Sequence, residues 1–221
     1  MNIRGRLGIS ARQQRRLVRV MELSLVAMLA IGVRYGQTGI IVNCAIGLLV
    51  ARVPGLLERD YDLPMDAGLT LWITSAVFLH AVGTIVVPGV VEQNLYRTTW
   101  WWDHVTHALS ASVVAGAGYS VARAIDVHDD EVWLPSEFMF VFILLLTFAF
   151  GVLWEVIEFT LGVAAERFGA AAVLTQYGLV DTIADLASDA VGATIVAIWG
   201  TTRLSGVVAA IADRLDSESS S

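Results

Sequence analysis

The chain has 221 residues, 56% of them hydrophobic, with a mean hydropathy of +0.67, and carries 21 acids against 14 basic residues, all of them Arg. Soluble domains hold about 45–50% apolar residues, and here the apolar residues come in long uncharged runs, which excludes a soluble globular protein and leaves room for one membrane-embedded helical bundle. The lone Cys44 lies in an apolar run, so neither a disulfide framework nor a thiolate metal site is available. A Lys-free, acidic composition fits a prokaryotic high-salt source, where carboxylate-rich surfaces stay soluble, or GC-rich codon usage.

A bilayer-crossing helix needs roughly 20 apolar residues. Six stretches meet that requirement: Leu17–Val33, Thr38–Leu57, Ala67–Val91, Trp100–Ile125, Ser136–Ala165 and Leu179–Trp199. The sequence therefore predicts an all-α, multi-pass cell-membrane bundle. Residues 1–16 form an Arg-rich cytoplasmic segment, 17–201 a six-helix transmembrane domain, and 202–221 a short amphipathic stretch with a disordered tail. The second span is expected to end near Pro54-Gly55, because a helix cannot donate a backbone bond at Pro. The first resembles a signal peptide in outline, but Arg34-Tyr35-Gly36-Gln37 is a poor cleavage site, so it is read as a retained helix.

Arg4, Arg6, Arg12, Arg15, Arg16 and Arg19 precede the first span with no acid among them. Positive residues stay inside, which puts the N-terminus in the cytoplasm, and six spans return the C-terminus to that side. This basic segment is topogenic and lipid-facing rather than a nucleic-acid site. Trp100, Trp101 and Trp102 are expected in the outer aromatic belt, and Trp72, Trp133 and Trp199 in the inner one. The apolar side of Leu204–Leu215 is expected on the membrane surface.

Eight ionisable side chains interrupt these apolar runs in three clusters: Asp103, His104 and His107; Glu155 and Glu158; Asp181, Asp185 and Asp189. Each charge at the centre of a bilayer costs about 2.5–3.5 kcal/mol on insertion scales, so these groups must be paired, protonated, hydrated or bound to a cation. Residues three or four apart share a helix face, and each cluster obeys that spacing. With the expected topology all three fall in the outer half of the bilayer. Small residues at Ala108, Ser112, Gly116 and Ser120, and at Ser188 and Gly192, allow close helix approach.

Imidazole and carboxylate at helical spacing suit a divalent cation such as Mn²⁺, Mg²⁺ or Zn²⁺. Asp103, His107, Glu155 and Asp185 are the expected ligands. His104, Glu158, Asp181 and Asp189 are expected to support them or to act as general acid and base. Such a site fits a metal-dependent hydrolase or transferase acting on a lipid or envelope substrate. The same residues also fit an ion, proton or small-solute transporter, or a non-catalytic scaffold in which protonated acids bond across helices. His80 reads as a satisfied buried histidine, and Glu92 and Asn94 as rim or solvated groups. No phosphate loop, nucleophile elbow or zincin motif is present in the sequence. Oligomeric state is not readable from this pattern.

The motifs WDHxTHxxS (Trp102–Ser110), GxxWExxEF (Gly151–Phe159) and DTxxDxxxDxxGA (Asp181–Ala193) resemble those of the YjdF-type predicted membrane proteins over roughly the second to sixth helices. The arrangement is similar, more distantly, to VanZ-like proteins, whose second motif is typically Glu then Gln where this chain has Glu155 and Glu158. The resemblance implies that the three clusters form one site, and it assigns that site no chemistry.

Overall fold

A computed structural model describes residues 9–129, 131–174 and 176–219; Arg4, Arg6, Asp130 and the last two residues of the expected tail lie outside the described residues. Within them the chain folds into helices α1 (Ala11–Tyr35), α2 (Thr38–Tyr61), α3 (Ala67–Gly83), α4 (Leu95–Thr98), α5 (Trp102–His128), α6 (Ser136–Phe168), α7 (Leu179–Arg203) and α8 (Ser205–Ser219). By length and composition α2, α5, α6 and α7 (to Gly200) can each cross a membrane, while α3 is apolar but shorter, at 17 residues. Although α1 is long enough, it carries Arg19, Glu22 and Arg34 through its apolar part.

Local chemistry sets the ends. A capping box between Ser10 and Gln13 opens α1, and Gly36 closes it in the left-handed conformation at φ 64°. Asp66 caps α3 by accepting from the Gly68 and Leu69 N–H groups. The third span stops at Gly83 rather than reaching Val91. The β-branched run Ile85–Val87 disfavours helix, and Pro88 pushes Val87 out of the α region. Residues 84–101 instead form a loop with a Val87–Val91 bridge and the one-turn α4. By contrast α2 does not end at Pro54. Proline removes only one helical bond, the ring is buried against the bundle, and the helix continues to Tyr61 and a left-handed Asp62.

Two groups of helices build the molecule. One is α1, α2 and α3, which pack on one another around Leu25, Ile40, Cys44 and Ala81. The other is centred on α5, which packs against α6, α7 and α8 around Ala115, Tyr119, Ile143 and Val196, and the α3–α5 contact joins the groups. Met139, Ile143, Thr147, Gly151 and Glu155 recur every fourth residue on the buried stripe of α6, whereas Phe150, Leu153 and Phe159 point outward. Apolar side chains outside and polar ones inside are what a lipid solvent selects.

Small residues let α5 and α7 touch. A Cβ on Gly192 would overlap the Ala108 carbonyl oxygen, so only glycine fits that crossing. Two further expectations are revised. Trp72 is not a belt residue: its ring packs over Gly116, and its Nε1 donates to Ser112 Oγ at 2.9 Å. The apolar side of α8 is covered by protein, because Leu204, Val207, Val208 and Ala212 join the core around α5. Trp100, Trp133 and Trp199 are exposed.

Candidate metal centre

The first turns of α5 and α7 and the middle of α6 meet at one end of the bundle. Cation-capable atoms of Asp103, His107 and Asp185 lie within 4.8 Å of one another. At the centre is His107. Its Nδ1 lies 3.3 Å from Asp189 Oδ1, and its Nε2 is 3.6 Å from Asp103 Oδ1 and 3.9 Å from Asp185 Oδ2. A carboxylate accepts, so Asp189 places the proton of a neutral ring on Nδ1 and turns the bare Nε2 toward the other two acids. Gly151 makes room for this pair: a Cβ there would overlap Asp189 Oδ2.

Asp185 is 1% exposed, yet its Oδ1 accepts no hydrogen bond; His104 Nδ1, also buried and without a partner, lies 3.8 Å from it. Buried polar groups are almost always satisfied, so these two atoms call for a ligand or water. Donor atoms around a tetrahedral metal with bonds of about 2.0–2.1 Å stand about 3.3 Å apart. The cluster is wider than that: His107 Nε2 is 3.6 and 3.9 Å from the two carboxylates, and the three donor atoms lie within 4.8 Å of one another. Two carboxylate oxygens and an imidazole nitrogen are donors of the kind that Mn²⁺, Mg²⁺ or Zn²⁺ takes.

The other expected residues take separate places. Glu155 is buried and points to α7: its Oε2 accepts from Thr182 Oγ1 at 2.7 Å and Gln176 Nε2 at 3.2 Å, leaving Oε1 without a partner. Glu158 accepts from Trp154 Nε1 at 3.1 Å. The carboxylate of Asp181 accepts from the Tyr177 N–H at 2.9 Å and thereby ties the loop before α7 to its first turn. His104 is half-exposed, with its ring edge toward Trp100.

A cavity of about 140 Å³ adjoins the cluster, and Asp103 and Glu158 form part of its wall. Its remaining polar lining includes His80, Tyr96, Asn94 and Tyr177, and among the described residues no Arg lines it. The Tyr96 hydroxyl and His80 Nδ1 are 2.8 Å apart, while His80 Nε2 is buried without a partner. Asn94 both caps α4 and faces the cavity, whereas Glu92 accepts from Gly89 in the preceding loop. Thr182, Gln176, Tyr96 and Tyr177 are contributors that helical periodicity does not reveal. Only Thr182 had a signal, its place in the Asp181-Thr182 motif.

Comparison with known proteins follows this geometry. The model of the predicted membrane protein family DUF2238 matches residues 17–206, a stretch that includes every residue of the site. An uncharacterized protein of the bacterium Thermotoga maritima is 32% identical over 140 residues, covering 63% of this chain and 65% of its own length. The chain thus spans just under two thirds of that relative. Neither match extends to the VanZ-like proteins or bears on a high-salt source. No solved structure matches.

Proposed function

The chain belongs to the DUF2238 family of predicted membrane proteins, and we propose that Asp103, His107 and Asp185 hold a divalent cation in it. The observation that carries this reading is the buried Asp185: its Oδ2 lies 3.9 Å from His107 Nε2, and its Oδ1 has no hydrogen-bond partner. An uncompensated buried carboxylate is costly, and a cation compensates it. Asp189 fixes the ring of His107; Glu155, with a free Oε1, and His104 stand by as further donors.

In this reading α1 and α3 are also spans, both termini are cytoplasmic, and the cluster faces the outer leaflet, following the Arg-rich start of the chain. A bound cation there supplies Lewis-acid polarisation and an acidified water. The protein supplies a cavity that admits a small group from a lipid or envelope substrate, and Glu158 on its wall as the acid–base group, held by Trp154. Hydrolysis or group transfer is the activity this supports. Below the cluster the helices bury the hydroxyls of Ser112, Tyr119, Ser120 and Thr147, and the buried carboxylate of Asp126 lies near the far end of α5, paired with Arg123, which favours a closed site over a continuous proton path.

Elemental analysis of the purified protein tests the proposal. Wild type should carry about one divalent ion per chain, and Asp185→Asn and His107→Gln should carry none while keeping their helix content. Metal-free wild type that neither binds Mn²⁺, Mg²⁺ or Zn²⁺ on titration nor gains thermal stability from them would overturn it.

A further inference from the structure

The opposite end of the bundle holds a second and larger cavity, of about 290 Å³, unconnected with the cation site. Along α7, Arg203 at this cavity is 18 residues from Asp185, about 27 Å at 1.5 Å per residue, so the two sites stand nearly a hydrocarbon core apart. The cavity lies in a gap: Gln14 of α1, Trp72 of α3 and Val196 and Trp199 of α7 line it, yet α1 and α7 do not pack on each other among the described residues. Its walls are therefore apolar and open between helices, where the bilayer lies. With its Nε1 committed to Ser112, the Trp72 indole presents only apolar ring to the space.

Two charges sit on that apolar crevice. Arg203 and Asp66 both line it, and no described residue forms an ion pair with either. Asp66 uses Oδ1 to cap α3, accepting from Gly68 at 2.7 Å and Leu69 at 2.8 Å. Its second oxygen makes none of these bonds. An apolar slot with a guanidinium and a carboxylate held apart complements a molecule with a hydrocarbon chain, a phosphate and a cationic end. A purely anionic lipid would meet Asp66, and free phosphate would leave the apolar walls unused. A quaternary ammonium has no N–H to donate to the carboxylate, whereas a primary ammonium has three.

We propose that this crevice binds phosphatidylethanolamine, with the phosphate at Arg203, the ammonium at Asp66 and an acyl chain along Trp72, Val196 and Trp199. The Arg-rich start of the chain places it in the cytoplasmic leaflet.

Native mass spectrometry of the full chain, exchanged into detergent with equal phosphatidylethanolamine, phosphatidylglycerol and phosphatidylcholine, tests this. Wild type should retain one phosphatidylethanolamine with about tenfold preference over each of the others, a difference of about 1.4 kcal/mol. Arg203→Gln should lose retention of it at least tenfold. Asp66→Asn, which keeps the helix cap, should retain phosphatidylglycerol as well as phosphatidylethanolamine. Wild type that retains no lipid, or retains the three alike, overturns the proposal, as do two variants with wild-type selectivity. The readout involves no metal, so it is independent of the fate of the cation site.

Discussion

His107 is the residue on which the candidate centre turns, because each of its ring nitrogens faces a different carboxylate. Partners that orient a ligating histidine typically contribute 10–100-fold to metal affinity. Asp189→Asn should therefore weaken divalent-cation binding by about that factor without abolishing it, as read by isothermal titration. Thr182 is tested by stability instead. Its hydroxyl is the shorter of the two bonds to buried Glu155 Oε2, and removing a partner from a buried acceptor costs about 1–3 kcal/mol, more for a charged group. Thr182→Val should lower the melting temperature of the purified protein, and Thr182→Ser should restore most of it. At this scale the sequence was informative where chemistry repeats on a helix. Asp103, His107 and Asp185 stand out as charges in apolar runs spaced three or four apart. Tyr96 lies in the one-turn α4 and Gln176 in a loop, where no period marks which way a side chain faces, and only the folded chain brings them to the site.

At the scale of elements, glycines at helix crossings decide how close the charged faces come. Gly192 has no room for a Cβ against the α5 backbone, whereas Gly162 of α6 has nothing within 4 Å of where a Cβ would lie. Gly192→Ala should destabilise by about 1–3 kcal/mol through forced separation of α5 and α7. Gly162→Ala should be neutral or stabilise by up to about 1 kcal/mol, since alanine restricts the unfolded chain and favours helix. Chemical unfolding of both variants in one detergent checks the contrast. The crossing was visible beforehand as a small-residue stripe on each helix. The ends of α2 and α3 were not: a proline inside a buried apolar helix and a β-branched run before Pro88 each set local propensity against context, and context prevailed only at Pro54.

For the whole molecule, the proposed orientation puts the loop around Gly89 and the loop around Asp62 on opposite faces of the membrane. In a Cys44→Ala background, Val90→Cys should react with a membrane-impermeant maleimide on intact cells, and Asp62→Cys should react only after the cells are opened. Labelling of Asp62→Cys on intact cells would invert the orientation, and with it the leaflets assigned to both sites. The burial of the α8 apolar side could not be read from sequence, since an amphipathic helix looks the same whether it rests on lipid or on protein. Here α5 supplies the surface.

The cavity beside Asp103 and Glu158 has carboxylates in its wall and, among the described residues, no Arg in its lining. In the proposed reading, ionised carboxylates there concentrate positive ions and repel phosphate or carboxylate esters of their own sign. That reading implies an order of occupation. In it the cation would enter first, and an anionic substrate would follow once the field had changed sign.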